Sequence, residues 1–225
     1  MFLYDIHKIY VNDGFWREKM DIERIREKIK NRNPKPMDIK KRYSVLIPIV
    51  KNNNRLEIIY EVRAKDLETQ PGEISFPGGE VEAGESFEEA AIRETIEELN
   101  IHKENIEILG ELDYLISYAG LTIHCFVATI SGVNVDKIKP NPDEVDHLFT
   151  VPLNFFLENE PDVYYLDLKT VLNDEFPYNL IPNGRDYNWR VGKHSVMFYH
   201  YKDYIIWGFT ARMTKELIDT IKDLK

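Results

Sequence analysis

The segment from residue 76 to residue 101 constrains the fold most, because it joins a glycine-rich loop to a strongly capped helix. Ser86 is followed three residues later by Glu89, the capping-box pattern in which each side chain bonds the other residue's backbone N–H. Asn100 tolerates left-handed backbone geometry, which suits the position just past a helix end. The sequence therefore predicts a helix that begins at Ser86 and closes near Asn100.

This helix concentrates carboxylates. At about 100° per residue, one side carries aliphatic residues and the other carries small apolar residues beside three glutamates. Each close carboxylate pair repels by roughly 3 kcal/mol at about 5 Å and an effective dielectric of about 20. An acidic helix face is usually just solvated, but here the apolar neighbours and the glycine loop favour a cation site. Oxygen ligands select a hard ion, Mg²⁺ or Mn²⁺. We expect a helix buried on two faces, with Ile92, Thr95, Ile96 and Leu99 on one side and Phe87, Ala90, Ala91, Glu94, Glu97 and Glu98 on the other.

The rest of the chain predicts one mixed α/β domain over residues 41–225, preceded by a helical extension over residues 1–40. The extension contains an amphipathic pattern over residues 17–31, ended by Asn33-Pro34-Lys35-Pro36. Residues 160–194 are rich in Asn, Asp, Pro and Tyr and predict loops with short strands. The predicted strands are 43–50, 56–62, 106–115, 122–130, 195–201 and 204–207, a strand leads into a short helix over 149–156, and a helix closes the chain over 210–224.

Composition excludes several classes of function. The formal charge of −10 argues against non-specific nucleic-acid binding, which needs a basic surface. No apolar stretch is long enough to span a membrane, and the N-terminus lacks the pattern of a secretory signal. The single cysteine, Cys125, excludes an internal disulfide and favours a cytoplasmic protein. The six histidines show no spacing typical of a zinc site.

The fixed positions of the loop and helix resemble the Nudix box. They are Gly79, then Glu85, then Arg93-Glu94, then Glu97-Glu98 and Ile101, all at that family's spacing. Thr95 and Asn100 depart from the usual aliphatic residue and glycine. The resemblance implies an α/β (α+β) fold in which a Nudix-type mixed sheet is flanked by helices.

The resemblance also implies roles for individual residues. The Gly79 carbonyl and the carboxylates of Glu94, Glu97 and Glu98 would bind the metal, and Arg93 would pair with Glu85 to brace the loop. The implied reaction is attack of a water on a diphosphate, activated by the metal. Glu97 and Glu144 are both candidates for the general base, and the sequence does not separate them.

A second pattern lies upstream of the box. Arg63-Ala64, then Gly72, then Phe76-Pro77-Gly78-Gly79 resembles the motif of coenzyme A pyrophosphatases within the Nudix superfamily. This implies hydrolysis of coenzyme A or an acyl derivative, with Arg63 and Lys65 as candidate phosphate contacts. Glu68 departs from the motif, which has arginine at that place, and an anion there should weaken attraction to a phosphorylated substrate.

Alternatives remain open from the sequence. ADP-ribose or a dinucleotide is a rival substrate, and a Nudix module that binds a nucleotide without cutting it is a rival function. The predicted partner is a small nucleoside diphosphate derivative, not a nucleic acid or a membrane. The oligomeric state is open, with a homodimer among the options.

Overall fold

The computed structural model describes residues 21–222. The chain divides into two units between Asp38 and Ile39. In the first unit, helix α1 (Ile22–Lys30) begins at Asp21, whose carboxylate accepts from the N–H of Arg24 at 2.9 Å.

Every isoleucine of α1 is exposed, as the amphipathic pattern predicts for a solvent-facing helix. Residues 17–20 of the predicted helix, and residues 223–224 of the predicted final helix, lie outside the described residues.

The second unit contains an eight-stranded mixed sheet and a separate three-stranded antiparallel sheet. The long strands of the first sheet follow the order β3-β2-β1-β7-β5, with β8 beside β2, β4 beside β1 and β6 beside β7. Among the strands of residues 21–222, only β1 and β7 run parallel to each other. The strands are β1 (Lys41–Asn52), β2 (Arg55–Arg63), β3 (Ile74–Ser75), β4 (Gly78–Glu80), β5 (Ile106–Glu111), β6 (Leu115–Ser117), β7 (Leu121–Ile130) and β8 (Val145–Pro152), and those of the second sheet are β9 (Asp162–Leu168), β10 (Gly192–Tyr201) and β11 (Tyr204–Trp207).

Helices cover both faces of the large sheet, as expected. They are α2 (Phe87–Leu99), α3 (Leu153–Glu158) and α4 (Gly208–Lys222), with 3-10 turns at Lys103–Asn105, Val135–Lys137, Tyr178–Leu180 and Gly184–Asp186.

Strand alternation divides the core between these faces. On one face, Leu46 and Phe126 pack with Ala91 of α2, and Ile59 packs with Leu99 near the C-terminal end of that helix. On the other face, a larger cluster joins residues of β1, β2, β7 and β8 to α3, α4 and the second sheet. The α2 face is the one that positions the carboxylates.

Two expectations about α2 are wrong in detail. Its fully buried face is a single stripe that contains Thr95 and Leu99 together with Glu98. Ile92 and Ile96 are only partly buried, because no element packs over that side in the described part of the chain. Thr95, which stands where the box usually has an aliphatic residue, is accommodated because its hydroxyl donates to the Ala91 carbonyl at 2.7 Å.

Other boundaries also differ from the predictions. The strand expected over 106–115 is divided, since β5 ends at Glu111 after an irregular register near Gly110 and β6 begins at Leu115. Helix α4 begins at Gly208, two residues before the predicted start. Strands β1 and β2 form one hairpin and β10 and β11 another, and Asn53, Asn54 and Lys202 have positive φ in the turns.

The caps of α2 are confirmed. The Ser86 hydroxyl accepts from the Glu89 N–H at 3.2 Å, and the Glu89 carboxylate accepts from the Ser86 N–H at 2.9 Å. At the other end, Asn100 has φ 51° and ψ 48°. These caps fix where the helix starts and stops relative to the glycine loop.

Replacing Ser86 with Ala should therefore lower the free energy of unfolding by about 1 kcal/mol, because the Glu89 N–H loses its acceptor. Chemical denaturation of both proteins measures the difference. Ser86→Thr keeps a hydroxyl acceptor and should lose less than Ser86→Ala. An unchanged denaturation midpoint in Ser86→Ala would contradict the role given to this cap.

Candidate active site

The glycine loop places backbone groups directly beneath α2. Gly78 and Gly79 form β4, opposite Val45 and Ser44 of β1. The Gly78 N–H donates to the Glu98 carboxylate at 2.8 Å. A Cβ at Gly78 would overlap the β1 backbone, and one at Gly79 would overlap the Glu94 carboxylate. Glycine is thus required at position 78 for the close approach of strand and loop, whereas a side chain at position 79 would displace the Glu94 carboxylate.

Arg93 forms hydrogen bonds with three carboxylates near the loop. Its guanidinium donates to Glu85 at 2.9 and 3.1 Å, to Glu94 at 2.8 Å and to Glu97 at 3.3 Å. The hydrogen bond from Arg93 holds the pKa of Glu85 below its usual value. The Glu85 and Glu94 carboxylates raise the pKa of Arg93, so it stays a cation. Glu85, near the end of the loop, is thereby tied to the helix.

The three box carboxylates occupy different environments. Glu98 is 3% exposed, and burial raises its pKa to about 9, helped by the charge of Glu61. Burial also raises the pKa of Glu94. The Glu97 side chain is 54% exposed. The helix therefore carries two carboxylates towards the sheet and one towards solvent.

Glu61 is a buried carboxylate that the sequence analysis did not identify. It lies on β2, is 1% exposed, and accepts a hydrogen bond from the Ser75 hydroxyl at 2.7 Å. Its other oxygen, Oε2, is buried and has no hydrogen-bond partner among the described residues. Burial raises the pKa of Glu61 to about 7. The sequence does contain a sign of this residue, because its charge interrupts the apolar strand Ile58 to Val62. Strand alternation places it on the same side as Ile59, which faces the helix.

The remaining candidates differ in how closely they are related to this cluster. Glu144 is partly buried, and its charge raises the pKa of Glu61, Glu94 and Glu98, which places it beside the cluster. Arg63 ends β2, and its charge lowers the pKa of Glu61. Lys65 is exposed, and its charge acts on Asp146.

The donor set suits a divalent cation electrostatically, since buried carboxylates converge with one oxygen of Glu61 left unpartnered. Within residues 21–222, no three His, Cys, Asp or Glu side chains already form a group that could hold a metal ion. Arg93 binds both Glu94 and Glu97 in this conformation. These two carboxylates would exchange Arg93 for the cation on binding it.

An open groove of about 560 Å³ runs along the partly exposed side of α2. Ile92 and Ile96 form its apolar wall, and Arg93, Glu97 and Lys103 supply charge. A second cavity of about 390 Å³ lies against α4 and includes none of the box carboxylates. The groove therefore adjoins the candidate site, whereas the cavity does not.

Within the described residues, no helix has the length and apolarity to span a membrane.

The buried carboxylates predict that the metal-free protein loses stability as pH rises. Glu61 and Glu98 bind protons more tightly when folded than when unfolded, so the free energy of unfolding falls between pH about 5 and about 9. Glu98→Gln removes one of these groups and should be more stable than the wild type at pH 8 with chelator present. Thermal unfolding across pH measures this.

Glu104→Gln, which removes an exposed carboxylate, is the matched control and should keep the wild-type pH profile. If the stability of the wild type and that of Glu98→Gln change with pH in the same way, the conclusion that burial of Glu98 is unfavourable is wrong.

The curated relatives match from about half to most of the chain. A protein from Mus musculus named peroxisomal coenzyme A diphosphatase NUDT7 is 29% identical over 76% of this chain and 66% of its own length. Nudix hydrolase 3 from Caenorhabditis elegans is 37% identical over 49% of this chain and 47% of its own. The uncharacterized Nudix hydrolase NudL from Pectobacterium atrosepticum is 28% identical over 84% of this chain and 87% of its own. The chain thus spans half to two thirds of the length of the first two relatives.

Among solved structures, a binary complex of a C. elegans Ap4A hydrolase matches 52% of this chain and 83% of its own, at 23% identity and a TM-score of 0.43. The model of the NUDIX domain matches residues 40–168, which is more than half of the chain. That match begins at the first strand and includes the whole glycine loop and α2, so the chain belongs to the Nudix family.

Proposed function

We propose that this protein hydrolyses the diphosphate bond of coenzyme A or its acyl derivatives, with Mg²⁺ or Mn²⁺ as cofactor. The products would be 3′,5′-ADP and a 4′-phosphopantetheine compound. One water is consumed, its oxygen bonds to one phosphorus, and the bridging P–O bond breaks.

The single buried cysteine, Cys125, is consistent with the expected cytoplasmic location.

The observation that carries the substrate proposal is the placement of Arg63. It lies two residues after Glu61 on β2, so strand alternation puts both side chains on the helix-facing side. The Arg63 Nε is buried and has no hydrogen-bond partner among the described residues. An unpaired buried donor on a cation is costly, and a phosphate oxygen would satisfy it.

The loop after Arg63 holds this arginine in place. The Arg63 N–H donates to the Glu73 carbonyl at 2.9 Å, and the Gly72 N–H donates to the Arg63 carbonyl at 3.1 Å. Gly72 has φ 72°, a conformation that favours glycine. One guanidinium nitrogen of Arg63 also donates to the Thr69 carbonyl at 3.4 Å. The spacing of the upstream motif therefore has a physical basis, since Gly72 closes the loop onto Arg63.

The bound cation would neutralise charge on the diphosphate and lower the pKa of a bound water. The Gly79 carbonyl and the carboxylates of Glu94, Glu97 and Glu98 are the proposed ligands. Glu144 and Glu97 remain candidates to accept the proton of the attacking water. Arg93 and Glu85 position the helix against the loop through their ion pair.

ADP-ribose and dinucleotides remain the rival substrates, since the box does not distinguish among diphosphates. The mouse relative's name and the upstream motif favour coenzyme A. A binding module without catalysis is less well supported, because every carboxylate of the box is present.

A panel of coenzyme A, acetyl-coenzyme A, ADP-ribose and Ap4A, with Mg²⁺ or Mn²⁺, tests the proposal. We expect the highest kcat/KM with a coenzyme A compound. Glu98→Gln should lower kcat by roughly a hundredfold, about 2.7 kcal/mol of activation free energy, because an anionic metal ligand is lost. Glu104→Gln is the control and should retain activity.

Two results would count against this function. A kcat/KM for ADP-ribose far above that for coenzyme A would overturn the substrate, and nearly full activity in Glu98→Gln would overturn the metal site.

Glu68, which stands where the coenzyme A motif has arginine, gives a second prediction. Glu68 lies in the exposed loop between Arg63 and Gly72, where an anion repels a substrate with several phosphates. Glu68→Arg should raise kcat/KM for coenzyme A several-fold, mainly through KM, and the gain should shrink as salt rises. Steady-state kinetics at two ionic strengths measure it.

Asp66→Arg makes the same charge change in the same exposed loop and is the matched control. Equal gains from both variants would indicate general attraction and would contradict a specific contact at position 68.

A further inference from the structure

The unpartnered oxygen of Glu61 suggests a further ligand, in addition to the box residues. Glu61 is on the sheet, not on α2, and its carboxylate is 1% exposed. The Ser75 hydroxyl fixes Oε1 at 2.7 Å, and this leaves Oε2 as the buried oxygen without a partner.

The charged residues that interact with Glu61 place it in the carboxylate cluster. Its charge interacts with those of Glu98, Glu94 and Glu144, and the positive charge of Arg63 offsets part of this repulsion. Glu98 accepts a hydrogen bond from the Gly78 N–H at 2.8 Å. Two carboxylates from different elements thus converge in a space closed to solvent, each anchored by one hydrogen bond.

We propose that Glu61 supplies a carboxylate oxygen to a divalent cation that Glu98 also binds, so that the metal site extends from the box helix to β2. This inference rests on the proposed metal-dependent function. A cation between the two carboxylates relieves their repulsion and gives the free oxygen of Glu61 a partner. Ser75 is then a positioning residue, since it orients the carboxylate without touching the metal.

The competing structural explanation is a proton shared between Glu61 and Glu98. Glutamine at position 61 separates the two explanations, because it keeps the size and can donate a hydrogen bond but provides no anionic oxygen. Titrating metal-free protein with Mn²⁺ alone, without substrate, measures the affinity. Water-proton relaxation of the bound Mn²⁺ reports how many waters coordinate it.

We expect Glu61→Gln to weaken Mn²⁺ binding by about tenfold or more and to add a coordinated water where the carboxylate oxygen is lost. Ser75→Ala should weaken binding less, because the carboxylate remains. Circular dichroism and thermal unfolding of the metal-free variants check that both fold.

Glu57→Gln is the matched control. Glu57 lies four residues earlier on the same face of β2, roughly 13 Å away, and its removal changes the net charge equally. Its Mn²⁺ affinity should stay at the wild-type value.

Three outcomes would overturn the inference. If Glu61→Gln binds Mn²⁺ as the wild type does while Glu98→Gln does not, Glu61 is not a ligand and the proposed function stands. If neither variant weakens binding, the metal site itself is wrong and the proposed function fails with it. If Glu57→Gln weakens binding as much as Glu61→Gln, the effect is long-range electrostatics and not ligation.

Discussion

The candidate active site depends on burying like charges between α2 and the sheet. Glu61, Glu94 and Glu98 all lose hydration there, and burial raises the pKa of each. Single hydrogen bonds from Ser75 and the Gly78 N–H offset only part of that cost. A fold that needed only stability would place apolar side chains at these positions. The unfavourable cluster is therefore best explained by a cationic ligand whose binding energy exceeds the cost.

Arg93 determines how the metal-free protein tolerates this cluster. Its guanidinium contacts Glu85, Glu94 and Glu97 together, so one internal cation neutralises part of the negative charge. The pair with Glu85 joins loop to helix, whereas the contacts with Glu94 and Glu97 use oxygens that the proposed metal needs. If a cation takes these oxygens, the contact with Glu85 is the one that remains. In the proposed site Arg93 would therefore keep Glu85 as its partner and release Glu94 and Glu97.

The sequence predicted the parts of the site that depend on local rules. The capping box at Ser86, the left-handed Asn100 and the glycine loop each follow from backbone chemistry within a few residues. It missed Glu61, because that carboxylate joins the site only through pairing of β2 with β3 and packing against α2. It also treated Ile92 and Ile96 as buried, since periodicity shows that a face is apolar but not whether another element covers it. Contacts distant in sequence account for both errors.

Strand β2 connects the chemistry of the site to the choice of substrate. Glu61 and Arg63 are two residues apart and so face the same side, one towards the carboxylates of α2 and the other with a buried donor still unpaired. Glu68 lies farther along, in the exposed loop, where solvent and salt screen its charge. We therefore expect a change at Glu68 to act on association with an anionic substrate and not on the bond that is cut. Because Glu61 and Glu98 are buried and Glu68 is exposed, we expect that a change at Glu68 can alter substrate preference while the buried carboxylates stay the same.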